Sequence, residues 1–424
     1  MNQDIYQQYV QVLNEELVAA LGCTEPIAIA YASALAREQL GAMPEQITAF
    51  CSGNIIKNVK GVTVPNSGGQ KGVEAAAILG ALGGDPRKRL EVLTMITPEQ
   101  IEQSRALAAQ KICRVELVEG ATNLYVRIES RAGGATAMVE IAEQHTNVVR
   151  IAKNGVDIVR RVYTVEDNSV SSKRGFMSVD GILDFADAVR IEDVKPLLDR
   201  QIKCNMAIAE EGLHNPYGAN VGRNILALYG GDRVETRARA YAAAGSDARM
   251  SGCDMPVVIN SGSGNQGITV TVPVVQYARG LGASDAQLYR AMVISNLVAV
   301  HLKTGIGPLS AFCGAVSAAT GSGAAISYLC GRSRRQIKMT ISNTLGTISG
   351  MVCDGAKASC AAKIASAVET AIVSGKMAAL NDYFHGDEGI LGENIEGTVR
   401  NIGRLGRKGM AETDIEILKM MIGQ

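Results

Sequence analysis

The chain has no tryptophan, five phenylalanines and four histidines in 424 residues. With so few aromatics the core must be filled by aliphatic side chains and alanine, and the 46 glycines allow close helix approaches. An excess of either charge is also missing. Lys+Arg and Asp+Glu both count 42, which removes the electrostatic case for nucleic acid or an anionic membrane as partner. No C-x-x-C pair occurs among the nine cysteines, so the ferredoxin ligand pattern is absent. Their odd number and irregular spacing argue against a disulfide framework. The opening residues, Met-Asn-Gln-Asp-Ile-Tyr, are neither a basic n-region nor an apolar h-region, so no signal peptide is expected. The cysteines then read as reduced thiols of a cytoplasmic protein, some of them metal ligands.

What is present is a globular composition, 47% hydrophobic and 20% charged, with length for two or three domains. No charge occurs between Lys303 and Arg332. That run is long enough for a bilayer, but it is rich in Gly, Ser, Thr and Ala and reads as a buried soluble helix pair. A second run of small residues ends in Gly350-Met-Val-Cys-Asp-Gly355. Each run sets one cysteine, Cys313 or Cys353, among small neighbours that leave room for a bulky inserted object. An iron–sulfur cluster is such an object, although an inert buried thiol is the ordinary role of any one of these cysteines.

In chain order, 4–21 reads as an amphipathic helix, and Gly22 stops it. Thr24 and Pro26 open the next helix, which sets Cys23 at an N-terminus where amides favour a thiolate. Residues 47–64 read as strand, turn and strand. A glycine-rich loop at 65–72 leads to a helix at 73–82, and 98–110 is helical. Strands are expected at 112–118, 124–130, 135–143 and 147–152, then loop at 156–180 and helix at 179–195. Pro196 marks the expected boundary between a mainly antiparallel α/β domain, 1–195, and an all-α domain, 196–424. Helices are expected at 283–302, 308–330, 334–350, 355–380 and from 393 on.

One stretch breaks the helical half. Asp254 to Pro273 contains Ser261-Gly-Ser-Gly-Asn-Gln-Gly267, a literal G-x-G-x-x-G. The dinucleotide reading needs a helix after the motif, and Ile-Thr-Val-Thr-Val-Pro opens one poorly, so that reading is rejected. A polar loop offering Ser261, Ser263, Asn265, Gln266, Gly267 and its amides to a small anion fits better. His145 ends a strand, and a lone histidine is ordinarily structural.

Four blocks together carry a resemblance: Gly22-Cys-Thr-Glu-Pro26, Ser261 to Gly267, Phe312-Cys-Gly-Ala315 and Gly350-Met-Val-Cys-Asp-Gly-Ala356. From about 10 to 420 the chain resembles the L-cysteine desulfidase family, often catalogued as an uncharacterised family and related to the α chain of bacterial iron–sulfur L-serine dehydratases. The resemblance implies a PLP-independent lyase with an oxygen-sensitive 4Fe–4S cluster, ligated here by Cys23, Cys313 and Cys353 with sulfurs roughly 6–7 Å apart. Serine dehydratases have a histidine at the Cys23 position and a third ligand beyond the Cys353 position, near but not aligned with Cys360. Their His-Pro-Asn segment, which carries a catalytic histidine, resembles His145-Thr146-Asn147, with Pro replaced by Thr.

The implied reaction is β-elimination of L-cysteine to pyruvate, ammonia and sulfide. His145 is the candidate base and Lys57 the reserve. Asn54, Lys57 and Asn58, with the 261–267 loop, are the candidates for holding the substrate. L-serine dehydratase activity and a non-catalytic, ligand-binding role are the alternatives. A PLP lyase would do similar chemistry, but no lysine sits in a convincing Schiff-base setting. A homodimer is a base-rate expectation.

Overall fold

The computed structural model describes residues 1–161, 174–307 and 309–423. The fold is α+β, with a mixed sheet in the N-terminal half and helices beyond it. The chain opens with α1 (Gln3–Glu16), then a short strand β1 (Ala19–Leu21) and α2 (Thr24–Leu40). Next come β2 (Gln46–Cys51), α3 (Gly53–Lys60), α4 (Gly72–Gly83) and α5 (Pro98–Ala109). The strands β3 (Cys113–Leu117), β4 (Tyr125–Ala132), β5 (Ala135–Ala142), β6 (Val148–Lys153) and β7 (Val156–Arg160) complete a six-stranded sheet of order β3-β2-β4-β5-β6-β7. Only β2 and β3 run parallel; the other pairs are antiparallel. Alternation sets Ile128, Val139 and Ile141 inward against α2, whose face of Ile27, Ala28 and Ala30 is fully buried.

The C-terminal half contains α6 (Val179–Ala188), α7 (Ile191–His214), α8 (Val221–Tyr229) and α9 (Val234–Met250). It continues with β8 (Pro256–Val258), α10 (Gly264–Leu281), α11 (Asp285–Ile306), α12 (Gly314–Leu329), α13 (Arg334–Ile348) and α14 (Cys360–Ala379). Two short helices, α15 (Ile395–Arg404) and α16 (Ala411–Ile422), close the chain around a π-turn at Leu405–Gly409. Close helix approach uses the small residues: a Cβ on Gly321 of α12 would lie 2.3 Å from the Ser295 carbonyl of α11.

Several local expectations are corrected. The first helix stops at Glu16, and Ala19–Leu21 leaves it to pair antiparallel with β8, Ala19 opposite Val258. The strand–turn–strand of 47–64 is a strand followed by α3, because Ile55 and Val59 lie one turn apart and bury together. Val156–Arg160 is a strand, while residues 162–173 of the expected loop fall outside the described residues. The chain after Gly262 is helix, opened by Ser263 as N-cap and continued through Pro273. Pro196 lies inside α7, near its start. A continuous apolar core runs from Tyr9 and Ile27 through Ile128 to Ile294, Val316 and Ile372. Among the described residues no helix is long and apolar enough to cross a membrane.

Candidate active site

Cys313 is the N-cap of α12, and the segment before it is locked to the segment holding Cys353. Phe312 pairs with Val352; the Cys313 amide donates to the Met351 carbonyl at 3.1 Å and the Cys353 amide to the Ala311 carbonyl at 2.6 Å. The two thiol-bearing residues therefore sit side by side by backbone geometry. Burial, then the neighbouring Cys353, pushes the Cys313 thiol up to about 12. Lysines surround the pair. Lys363 Nζ donates to the Val352 carbonyl at 2.8 Å and pairs with Asp354, and Lys57 Nζ reaches the Cys353 carbonyl at 3.5 Å. Lys303 feels the charge of both thiols.

Cys23 is the N-cap of α2, as its position before Thr24 suggests. Pairing of β1 with β8 brings that cap against the 260–263 turn, where Thr24 Oγ1 donates to the Gly262 carbonyl at 2.9 Å. The thiolate expected from the helix N-terminus is not what the surroundings favour. Cys23 Sγ donates to Glu25 Oε2 at 3.0 Å, and burial followed by the Glu25 charge drives the thiol far up. Cys23 packs with Val62 and Met250, and Ala356 and Cys360 close the same cluster. Cys360 in turn lies close enough to Cys353 to feel its charge. Among the described residues no three metal-ligating side chains close on one point.

His145 lies in the bend between β5 and β6, held by Asn147 Nδ2 donating to the Ala142 carbonyl at 2.9 Å. The residue is 9% exposed, and its Nε2 has no partner among the described residues. Burial lowers its pKa against the pull of Glu25, so the imidazole is neutral and able to accept a proton. Burial would raise Glu25, but the neighbouring His145, the bond from Cys23 and the charge of Arg249 hold it low. Gly262, at φ +76°, passes so close that a Cβ there would lie 3.2 Å from His145 Cε1.

His145, Ser261, Gly262, Lys303, Thr304 and Arg407 line one cavity of about 1310 Å³. Past Gly262 the chain leaves the cavity lining: Ser263 caps α10 and Gln266 packs onto Gly314, beside Cys313, where a Cβ on Gly314 would lie 2.7 Å from Gln266 Cδ. Asn265 Oδ1 and Gln266 Oε1 are buried acceptors without donors. Gly267 lies against β8, where a Cβ would come within 2.0 Å of the Val258 carbonyl.

The α3 candidates face elsewhere. Lys57 is buried and ion-paired to Asp414 of α16, and Asn54 Nδ2 donates to the same carboxylate at 2.7 Å. Asn58 donates to the Asn54 carbonyl at 2.9 Å. None of the three is among the residues lining the cavity. The residues not foreseen are Glu25, Arg249, Asp414 and above all Lys303. A signal existed for Lys303, the last charge before the uncharged run; none existed for Asp414, which meets α3 only in three dimensions.

Comparison with known proteins places the chain in a family. The family model described as "Serine dehydratase alpha chain" matches residues 87–419. A "UPF0597 protein" of Lachnoclostridium phytofermentans is 49% identical over 99% of this chain and 100% of its own length. Those of Desulfitobacterium hafniense and Treponema denticola are 50% and 46% identical, covering 99% and 98% of this chain and 97% and 98% of their own lengths. The chain belongs to the serine dehydratase α-chain family and has UPF0597 proteins as full-length relatives.

Proposed function

We propose that the protein is a PLP-independent iron–sulfur lyase that eliminates the β-thiol of L-cysteine, giving pyruvate, ammonia and sulfide. Family membership supports a lyase of the serine dehydratase type. The observation that carries the cluster is the Cys313–Cys353 pair, bridged by backbone and surrounded by Lys57, Lys303 and Lys363. Thiolates on a cluster are anionic, and lysines compensate that charge. Cys313 and Cys353 would hold the cluster, with Cys23, which touches the cluster of residues containing Cys360, as third ligand. When bound, the cluster supplies a Lewis acid at an iron free of protein ligands.

The chain's own residues do the rest. The donorless Asn265 Oδ1 and Gln266 Oε1 are suited to the substrate's ammonium. His145 Nε2, neutral and unpartnered, takes the α-proton; general-base catalysis of this kind contributes on the order of 10² to 10⁴ in rate. Loss of the β-substituent leaves an enamine, which tautomerises and hydrolyses to pyruvate and ammonia. L-serine dehydration is the second reading, favoured by the family description. A cysteine at position 23 weighs toward the thiol substrate, because three thiolates make the cluster electron-rich and suit a leaving group that is already good. The test is anaerobic reconstitution, iron and sulfide analysis, and a pyruvate assay with L-cysteine, L-serine and L-threonine. Iron uptake with no pyruvate from any of them would return the chain to a ligand-binding role.

A further inference from the structure

An amino acid brings an anion as well as an ammonium, and its carboxylate needs a cation at the cavity. The lysines near the thiols are mostly committed. Lys57 is paired with Asp414, and Lys357 and Lys363 with Asp354. Arg249 Nε donates to the Gly22 carbonyl at 3.0 Å. Lys303 differs. It sits in the last turn of α11, is 7% exposed and lines the same cavity as His145, Ser261 and Gly262. Its ammonium has no ion-pair or hydrogen-bond partner among the described residues. It also lies within electrostatic reach of Cys313 and Cys353.

We propose that Lys303 is the cation that receives the substrate's α-carboxylate, restricting the cavity to small acids with a free carboxylate. The proposal rests on the lyase reading for the identity of the acid, but on the geometry alone for the residue. A buried ammonium with no partner is costly unless something arrives to pair with it. The Asn265 and Gln266 acceptors stand on the loop that continues from Ser261 and Gly262, which line the cavity with Lys303. Burial holds the Lys303 amine down to about 8, and an incoming carboxylate would draw its proton back.

The probe is pyruvate, the small unreactive acid, with pyruvamide as its neutral counterpart. Binding is measured by calorimetry on the full-length chain as purified. Wild type is expected to prefer pyruvate to pyruvamide, and Lys303→Met to lose at least tenfold in pyruvate affinity with pyruvamide unchanged. Lys303→Arg is expected to retain part of the preference. A second measurement uses wild type only: pyruvate should slow acetylation of Lys303 by acetic anhydride, read by peptide mass spectrometry, and leave exposed Lys153 unaffected. Equal pyruvate affinity in wild type and Lys303→Met, no preference over pyruvamide, or no protection of Lys303 would overturn the assignment. Because no turnover is read, a chain inactive on L-cysteine but showing these effects would sink the lyase reading and leave this one standing.

Discussion

Lys303 and His145 are both buried ionisable groups whose ordinary protonation is disfavoured, and each leads to a measurement. Lys303 holds its proton less tightly folded, at about 8, than unfolded. Between about pH 8 and the ordinary lysine value near 10.5, the unfolded chain binds more protons, so wild-type stability rises with pH there. Below pH 8 the buried ammonium costs on the order of 3 kcal/mol. Lys303→Met is therefore expected to melt higher than wild type at pH 7, with the gap closing toward pH 10.5; an unchanged gap would contradict the burial argument. For His145, lowered by burial, the base form persists below the usual range, so the acid limb of kcat/KM should fall below about pH 6.5. His145→Asn should keep iron content and lose about 10² to 10⁴ in kcat. At this scale Cys313 and Cys353 were legible because each sits in an uncharged run of small residues. Lys303 was written at the edge of the same run, yet a single lysine carries no mark of burial in sequence. Nothing in the sequence of the Gly22–Pro26 block marks Glu25 as the acceptor for the Cys23 thiol.

The elements show where local patterning misleads. Ile55, Ile56 and Val59 read as strand, yet their spacing buries one face of α3. Thr269, Val270, Thr271 and Val272 read as a poor helix opening, yet all lie buried within α10. β-branched residues lower helix propensity only modestly, and burial outweighs it. The glycines of 261–267 were read as a ligand loop, but Gly264 and Gly267 belong to the helix start and serve packing on Arg249 and β8. Gly267→Ala is expected to destabilise by roughly 1–3 kcal/mol, since a Cβ would meet backbone at 2.0 Å; a thermal melt checks it. The helix α16 is held onto α3 by Asp414 on Lys57 and Asn54, a contact no local pattern announces. Asp414→Ala leaves Lys57 buried without its partner and should cost on the order of 3 kcal/mol. Hydrogen exchange in 411–422 should rise with it.

Across the molecule, the helical second half and the mainly antiparallel sheet were readable, because long periodic segments and strands with turn residues dominate those regions. The halves meet in part through β1, three residues long, pairing with β8, also three residues long, a contact that such short strands do not announce in sequence. That pairing sets the Cys23 cap against the turn that lies beside His145, while Gln266 on the same loop abuts Gly314, next to Cys313. His145, Ser261, Gly262 and Lys303, from distant parts of the chain, thus line one cavity, and the Cys23 cap borders it through the Thr24–Gly262 bond. The most direct measurement is the initial rate of pyruvate formation by anaerobically reconstituted protein of known iron content, with L-cysteine and L-serine in parallel. The expected result is four irons per chain and a kcat/KM for L-cysteine well above that for L-serine, both lost in Cys313→Ser. Faster turnover of L-serine, or full activity in protein without iron, would contradict it.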